Sequence, residues 1–307
     1  MAAPLEEPGA MIRPAAKALA NRVFPPRALH QLRWWRARLQ ALRAGLGARS
    51  TPRPHELGGK LLVSLTSYPA RFETLPLTLR SLLRQNLHAD EVILWIAHGD
   101  LALLPRQVRD LESAGLSIRG CDDLRSYKKL IFALAENPGA FIVTADDDIF
   151  YPPTWLERLV EAFDPAQPAI TCMRAHRLRS GADGSLAPYQ SWGWEVRDEA
   201  SSRASVDILP TGNGGILYPP QSLHPDVLDR EAFLQLAPTA DDLWFYWMGR
   251  RAGSRYKVAD TSFRLIAWPY PEDQTLAGQN IEGGNDRQIR ALEARYGNPM
   301  MMNGGTQ

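Results

Sequence analysis

Cysteine is scarce in this sequence, and long apolar runs are missing. Only Cys121 and Cys172 occur among 307 residues, each beside a predicted strand, so a disulfide framework is not expected and a reducing compartment fits. No window approaches the roughly 18 uninterrupted apolar residues that a membrane span needs. The N-terminus also lacks an apolar stretch followed by a small-residue cleavage site. These absences lead us to expect a cytoplasmic protein.

Acidic residues are scarce at the N-terminus. Residues 1–55 contain ten Lys and Arg against two Glu, a net charge of +8, and the overall charge of +1 leaves −7 for residues 56–307. Nucleic-acid binding by the body of the protein is therefore disfavoured, and an anionic partner should meet the N-terminal segment. We predict two parts: a basic amphipathic segment with a linker over residues 1–55, and one domain over residues 56–307.

A helix is predicted from about Arg27 to Gly45, because apolar residues recur there at three- and four-residue steps. These apolar residues are Leu29, Leu32, Trp35, Leu39 and Leu42, while Arg33, Arg36, Arg38 and Arg43 fall mostly on other faces. A basic amphipathic helix of this kind is typical of a segment that lies on an anionic membrane surface. Two alternatives stay open: a helix packed on the body, or a poorly ordered leader. The run Ser50–His55 is interpreted as a linker.

From Lys60 onwards the sequence alternates between predicted strands and predicted helices. The strands are KLLVSLTSY, DEVILWIA, LSIRGC and AFIVTA, separated by helical patterns of ten to fifteen residues. This alternation predicts an α/β fold with a mostly parallel central sheet and helices on both faces. After about residue 165 the pattern becomes mixed, with helices expected near 230–237, 240–252 and 286–296.

Three adjacent aspartates, Asp146, Asp147 and Asp148, follow the fourth predicted strand; we call them the acidic triplet. Adjacent carboxylates repel one another unless a positive group is held nearby, and ligands of open α/β sheets bind at the carboxyl ends of strands. Thr154 and Glu157 form a T-x-x-E capping box for the next helix, which leaves the triplet free. Clustered oxygen ligands of this kind suit Mg²⁺ or Mn²⁺.

Other polar residues should gather at the same edge of the sheet. Thr66, Ser67, Tyr68 and Arg71 follow the first strand, where turn chemistry around a proline is the alternative explanation. Asp122 and Asp123 follow the third strand. Lys128 and Lys129 then occupy the first turn of a helix, where cations oppose the helix dipole, so either an anion lies nearby or the two lysines are simply solvated.

Two later segments add candidates. The segment PTGNGGILYPP carries Gly212, Gly214 and Gly215, which either let the backbone approach a ligand or only form a tight turn. The segment TADDLWFYWMGRRAG places Asp241 and Asp242, which we call the acid pair, at the start of a helix. Acids are favourable at a helix N-terminus without any function, but one of them aimed into a cleft would be a general base.

Together these motifs resemble the GT-A glycosyltransferases, particularly bacterial enzymes that build surface polysaccharides. VSLTSYPAR, TADDDIFYPPTWL, GNGGILYP and ADDLWFYWMGRRAG occur in the family's order between about Lys60 and Gly253. The resemblance implies a Rossmann-like GT-A fold and transfer of a sugar from a nucleotide-sugar donor to a glycan or lipid-linked acceptor. Such an enzyme would use Mn²⁺ or Mg²⁺ and could attach peripherally to the inner face of the membrane.

The resemblance also implies residue roles, with inverting chemistry assigned by analogy. Asp242, beside Asp241, would be the catalytic base, and Asp147 or Asp148 would hold the metal. The donor would be bound by residues of three segments: Thr66, Ser67, Tyr68 and Arg71; Asp123, Lys128 and Asp146; Gly214 and Gly215. Two other functions remain open, namely a sugar nucleotidyltransferase and a non-catalytic nucleotide-sugar-binding scaffold at the membrane. The first is disfavoured because TSYPARFE lacks the glycines of a phosphate-binding loop.

Overall fold

The computed structural model describes residues 26–45, 51–269 and 283–302. The α-helices in these ranges are α1 (Pro26–Ala44), α2 (Leu75–Leu82), α3 (Arg106–Arg109), α4 (Lys128–Glu136), α5 (Trp155–Glu161), α6 (Arg230–Leu236), α7 (Asp241–Arg251) and α8 (Asn285–Tyr296). The strands are β1 (Leu61–Thr66), β2 (Glu91–Ala97), β3 (Leu116–Cys121), β4 (Phe141–Ala145), β5 (Ile149–Phe150), β6 (Ile170–Cys172), β7 (Ala175–Arg177), β8 (Ile208–Pro210), β9 (Ile216–Tyr218), β10 (Tyr256–Val258) and β11 (Ile266–Ala267).

A seven-stranded sheet in the order β10-β6-β9-β4-β1-β2-β3 forms the centre of the molecule. The four strands predicted from the sequence, β1 to β4, are parallel to one another. Strand β9 runs antiparallel to both β4 and β6. Two small antiparallel pairs, β5 with β11 and β7 with β8, lie outside this sheet. The predicted α/β class with a mostly parallel sheet is confirmed.

The sheet is covered on both faces, as predicted. Successive residues of a strand point to opposite faces, and Leu61 and Val63 of β1 accordingly belong to one apolar core while Leu62 belongs to the other. The helix α7 packs in the core that contains Leu62, where Trp244 and Trp247 are fully buried. Because both faces are apolar, polar side chains are left to collect at the ends of the strands.

The predicted N-terminal helix forms, but it packs with a different face from the one that the periodicity suggested. Ala37 and Ala41 are buried, and Trp34 stacks on Trp268 with ring centroids 6.0 Å apart. The predicted apolar positions Leu32, Trp35, Leu39 and Leu42 are all exposed. Small alanines allow the helix to approach the body closely, so the helix is docked while its apolar stripe faces solvent.

One local prediction, the capping box, is wrong. Thr154 makes no side-chain cap at the start of α5, and Glu157 instead accepts a hydrogen bond from Nε of Arg53 at 2.9 Å. Arg53 also pairs with Glu161, and its backbone is hydrogen-bonded to Asn86 and His88. This part of the predicted linker is therefore fixed to the body.

Within 26–45, 51–269 and 283–302, none of the helices combines the length and the apolar character that crossing a bilayer requires. Cys121 and Cys172 are both buried, with free thiols.

Candidate active site

A cleft of about 560 Å³ opens where strands β1, β3 and β4 end. Parallel strands bring the segments that follow them to one edge of the sheet, and most of the predicted site residues meet there. Those that line the cleft are Thr66, Ser67, Tyr68, Arg71, Asp123, Lys128, Asp146, Asp147 and Asp148. The size of the cleft suits a small-molecule ligand.

The segment after β1 holds the acidic triplet from one side. The Ser67 hydroxyl donates to Oδ2 of Asp147 at 2.5 Å, and Nη1 of Arg71 donates to Oδ2 of Asp148 at the same distance. Thr66 donates to the backbone carbonyl of Trp95 at 2.8 Å. The ring of Tyr68, by contrast, is exposed, so it is the member of this segment that is available to stack on a ligand.

Burial and the charges of neighbouring carboxylates raise the pKa values of Asp147 and Asp148. The pKa of Asp147 is raised to about 7, first by burial and then by the charge of Asp148, against the lowering effect of the Ser67 hydrogen bond. Burial also raises the pKa of Asp148, although the Arg71 charge opposes this. A cation in the cleft would lower these pKa values, because it stabilises the charged carboxylates.

Lys129 connects the acidic triplet to the acid pair. Its buried ammonium group lies 2.8 Å from Oδ1 of Asp146 and 3.1 Å from Oδ2 of Asp241. Burial lowers the pKa of Lys129, but the charges of Asp146, Asp241 and Asp242 outweigh burial and raise it well above its usual range. The two acidic clusters therefore belong to one polar network rather than to separate surfaces.

Asp242 is held by backbone rather than by a cation. Both of its carboxylate oxygens accept from the amide N–H of Gly212 at 3.1 Å. The pKa of Asp242 is raised to about 7, first by burial and then by Asp241, while Lys129 lowers it. A Cβ atom at Gly212 would lie 3.1 Å from Oδ1 of Asp242 and 3.5 Å from Oδ1 of Asp146, which makes these two carboxylates neighbours. Asp241 and Asp242 are not among the residues that line the cleft itself.

The two lysines of α4 do not behave as solvated charges. Lys128 is buried, and its ammonium group lies 2.8 Å from Oδ1 of Asp123. Lys129 pairs with Asp146 and Asp241 as described above. The anions that offset the unfavourable helix dipole are thus carboxylates of the chain itself, so the presence of these lysines does not require a bound anion.

Gly214 and Gly215 have a packing explanation. A Cβ atom at Gly214 would lie 2.7 Å from the Cβ of Arg174, and one at Gly215 would lie 2.4 Å from the Trp155 ring. Gly215 also has φ of +92°, which favours glycine. Neither glycine lines the cleft, whereas the neighbouring Asn213 does.

Sequence reasoning missed Arg125. This residue lines the cleft and is exposed, with φ of +54°. In the part of the chain that the structure describes, it is the cation of the cleft lining without a carboxylate in ion-pair range. Gly212, which the sequence had marked only as one of three glycines, contributes the amide that holds Asp242. The left-handed backbone of Arg125 leaves no mark in the sequence, but its place between Asp123 and Lys128 could have made it a candidate.

Asp147 and Asp148 are the predicted metal ligands. Across the described ranges, no group of three or more His, Cys, Asp and Glu side chains is arranged to hold a metal ion. Asp147 and Asp148 nonetheless fit a Mg²⁺ or Mn²⁺ that takes one or two carboxylates from the protein and its other ligands from phosphate and water. Their buried, mutually repelling carboxylates are the chemistry that such an ion would stabilise.

Comparisons with known proteins give structural matches only. No protein-family model and no curated protein matches the chain. The matching solved structures include the inositol-1-phosphate CTP transferase from T. maritima, with a TM-score of 0.42 and 11% identity over 76% of this chain and 96% of that chain. S. aureus TarS 1-349 in complex with UDP matches with a TM-score of 0.43 and 13% identity. That match covers 67% of this chain and 59% of the TarS chain, which is less than two thirds of that structure.

A third match is the 4-diphosphocytidyl-2C-methyl-D-erythritol synthase from Anaerococcus prevotii. It gives a TM-score of 0.43 and 14% identity over 73% of this chain and 96% of that chain. The structural neighbours thus include one protein crystallised with UDP, one named as a CTP transferase and one named as a synthase. Matches this loose do not indicate what this chain binds.

Proposed function

We propose that this protein is a metal-dependent, inverting glycosyltransferase that uses a nucleotide-sugar donor. The observation that carries the proposal is the single polar network in which Lys129 joins the cleft-lining triplet to the acid pair. Metal-dependent inverting transfer needs carboxylates that hold a cation beside the donor and a separate carboxylate that accepts the acceptor's proton. Asp147 and Asp148 would fill the first role, and Asp242, with a pKa of about 7, would fill the second.

The donor would occupy the cleft. The exposed ring of Tyr68 provides a surface on which the nucleobase stacks, and Asp146 accepts hydrogen bonds from the ribose. Arg125 meets the diphosphate, because it is the cleft cation that is not already paired with an acid in the described ranges. Asp147 and Asp148 would hold the divalent ion, which supplies charge neutralisation on the diphosphate leaving group.

Asp242 would act as the general base. With a pKa of about 7 it is half ionised near neutral pH, which is the range in which a carboxylate accepts a proton efficiently. It takes the proton of the acceptor hydroxyl as that oxygen forms a bond to the anomeric carbon. The bond from that carbon to the diphosphate breaks on the opposite face, so nucleoside diphosphate leaves and the configuration inverts. The acceptor would be a glycan or a lipid-linked sugar of cell-surface polysaccharide synthesis.

The first experiment is a thermal-shift screen of nucleotide sugars with and without Mn²⁺. A ligand that binds only the native state raises the melting temperature, so a donor should stabilise the protein more in the presence of the ion. The double variant Asp147→Asn/Asp148→Asn should lose this Mn²⁺-dependent increment. Asp122→Asn is the matched control, because Asp122 is an exposed acid paired with Arg230 outside the cleft.

Product analysis separates the proposal from its alternatives. Release of nucleoside diphosphate from a nucleotide sugar supports glycosyl transfer, whereas release of pyrophosphate from a nucleoside triphosphate and a sugar phosphate indicates the nucleotidyltransferase. Binding without turnover, across a panel of acceptors, would indicate a scaffold. Unchanged Mn²⁺-dependent stabilisation in the double variant would contradict the metal assignment.

A further inference from the structure

Helix α1 is a docked helix with an apolar face that the body does not cover. Its contact face consists of small residues and one ring: Ala37 and Ala41 are buried, and Trp34 stacks on Trp268. Arg38 lies over the Trp34 ring, with its guanidinium carbon 5.4 Å from the ring centroid. These contacts fix the rotation of the helix about its axis, and this rotation decides which side chains face outward.

The outward face carries a continuous apolar stripe formed by Leu32, Trp35, Leu39 and Leu42. Their side chains are 62%, 66%, 50% and 67% exposed, and their spacing of three, four and three residues puts them on one side of the helix. Ten large hydrophobic side chains of the described residues are exposed, and four of them lie on α1. Single exposed apolar residues are ordinary, but a contiguous patch of this kind marks an interaction surface.

The charge around the stripe selects the partner. Arg33, Arg36, Arg38 and Arg43 are exposed on the same helix, and residues 26–45 contain no acid. A symmetric contact between two copies of α1 would bring these arginines together, which costs free energy. An anionic lipid surface instead offers headgroup charge to the arginines and an apolar layer to the stripe, where tryptophan is favoured.

The position of α1 ties this surface to the cleft. The helix lies against β11 and the Phe150 ring, and β11 pairs with β5. Ile149 of β5 and Ala267 of β11 line the cleft. Only the pair of strands β5 and β11 therefore separates α1 from the cleft.

We propose that α1 docks on an anionic lipid surface through the stripe Leu32, Trp35, Leu39 and Leu42 and the arginines beside it. Lipid binding requires neither a donor nor catalysis, so this inference stands or fails separately from the proposed function.

The test is co-sedimentation of the full-length protein with phosphatidylcholine vesicles, with and without 30% phosphatidylglycerol. We expect at least tenfold tighter binding to the anionic vesicles, which falls as salt is added. The variant Leu32→Gln/Trp35→Gln/Leu39→Gln/Leu42→Gln should lose at least tenfold in affinity. The variant Arg33→Gln/Arg36→Gln/Arg43→Gln should lose most of the preference for anionic lipid, since each basic residue near such a surface contributes about fivefold.

The matched control replaces four other exposed hydrophobic residues, as Leu103→Gln/Leu228→Gln/Leu234→Gln/Met301→Gln. It should bind like the wild-type protein, and circular dichroism should show that each variant is folded. The proposal is overturned if the wild-type protein ignores both kinds of vesicle, or if the control loses as much affinity as the stripe variant. It is equally overturned if light scattering shows a dimer that only the stripe variant breaks, because the stripe would then be an interface between copies.

Discussion

The acidic triplet and the acid pair each contain one aspartate that lacks a cation partner among the described residues. In the triplet Asp148 meets Arg71 and Asp146 meets Lys129, and in the acid pair Asp241 meets Lys129, while the remaining aspartate of each cluster receives neutral donors. Asp147 is held by the Ser67 hydroxyl and Asp242 by the Gly212 amide. The two with neutral donors are those whose pKa values reach about 7. Burial and a charged neighbour raise these two pKa values, and the neutral donors of Asp147 and Asp242 do not offset this effect.

The largest effect on activity should come from replacing the two members of the acid pair one at a time. Asp242→Asn should lower the rate of sugar transfer by about 10²- to 10⁴-fold, the usual contribution of a general base. Asp241→Asn should cost less than tenfold, because Asp241 is paired with Lys129 and is not the proposed base. The measurement is kcat with the donor identified by the thermal-shift screen. Equal losses in both variants, or a greater loss for Asp241→Asn, would show that Asp242 is not the base.

The next effect tests Lys129 as the link between the two clusters. Lys129→Met leaves Asp146 and Asp241 without their buried cation, and breaking a buried ion pair in this way costs about 3–5 kcal/mol of unfolding free energy. The measurement is urea denaturation at neutral pH. Adding Asp241→Asn to Lys129→Met should recover part of the loss because it removes one unpaired charge.

The adjacent lysine provides the control for that prediction. Lys128→Met also removes a buried lysine from α4, but its partner Asp123 is mostly exposed. Water can solvate the abandoned carboxylate, so the cost should stay below about 1 kcal/mol. Similar losses for the two lysine variants would mean that Lys129 contributes only packing of its side chain.

The strands were predictable because their signal is local. Buried parallel strands are read as continuous apolar runs, and β1 to β4 match the runs that the sequence predicted, so the polar segments after β1, β3 and β4 could be assigned to one edge. The antiparallel insertion of β9 between β4 and β6 leaves no comparable local pattern. The central sheet order was therefore only half predictable.

The partners of the site residues were not predictable, because they come from distant parts of the chain. The helix-dipole argument for Lys128 and Lys129 was sound in requiring an anion, but Asp241 lies 112 positions after Lys129 in the sequence. The docking face of α1 has the same origin, since Trp34 packs on Trp268. Periodicity identified the apolar stripe correctly and could not identify which face the body covers.

The smallest effect concerns the pH dependence of stability. Asp242 has a folded-state pKa of about 7, above the ordinary aspartate value, so the native state holds a proton that the unfolded chain has released. Its contribution to stability is complete below about pH 4 and is lost as the pH rises towards 7. The asparagine of the Asp242→Asn variant cannot ionise. Between pH 5.0 and 7.5 the unfolding free energy of the variant should therefore fall by about 1–3 kcal/mol less than that of the wild type.

Because the variant and the wild type share all other titrating groups, the contributions of those groups cancel when the two proteins are compared at both pH values. Asp147 changes stability in the same direction as Asp242, whereas His176, whose pKa burial lowers to about 4, changes it in the opposite direction. Asp226→Asn is the control, because the hydrogen bond from Arg251 lowers the pKa of Asp226 and confines its effect to acid pH. The urea midpoints of the control and of the wild type should therefore shift in parallel between pH 5.0 and 7.5. A parallel shift for Asp242→Asn as well would mean that Asp242 is ionised throughout, and the distinction between cation-held and amide-held carboxylates would then fail.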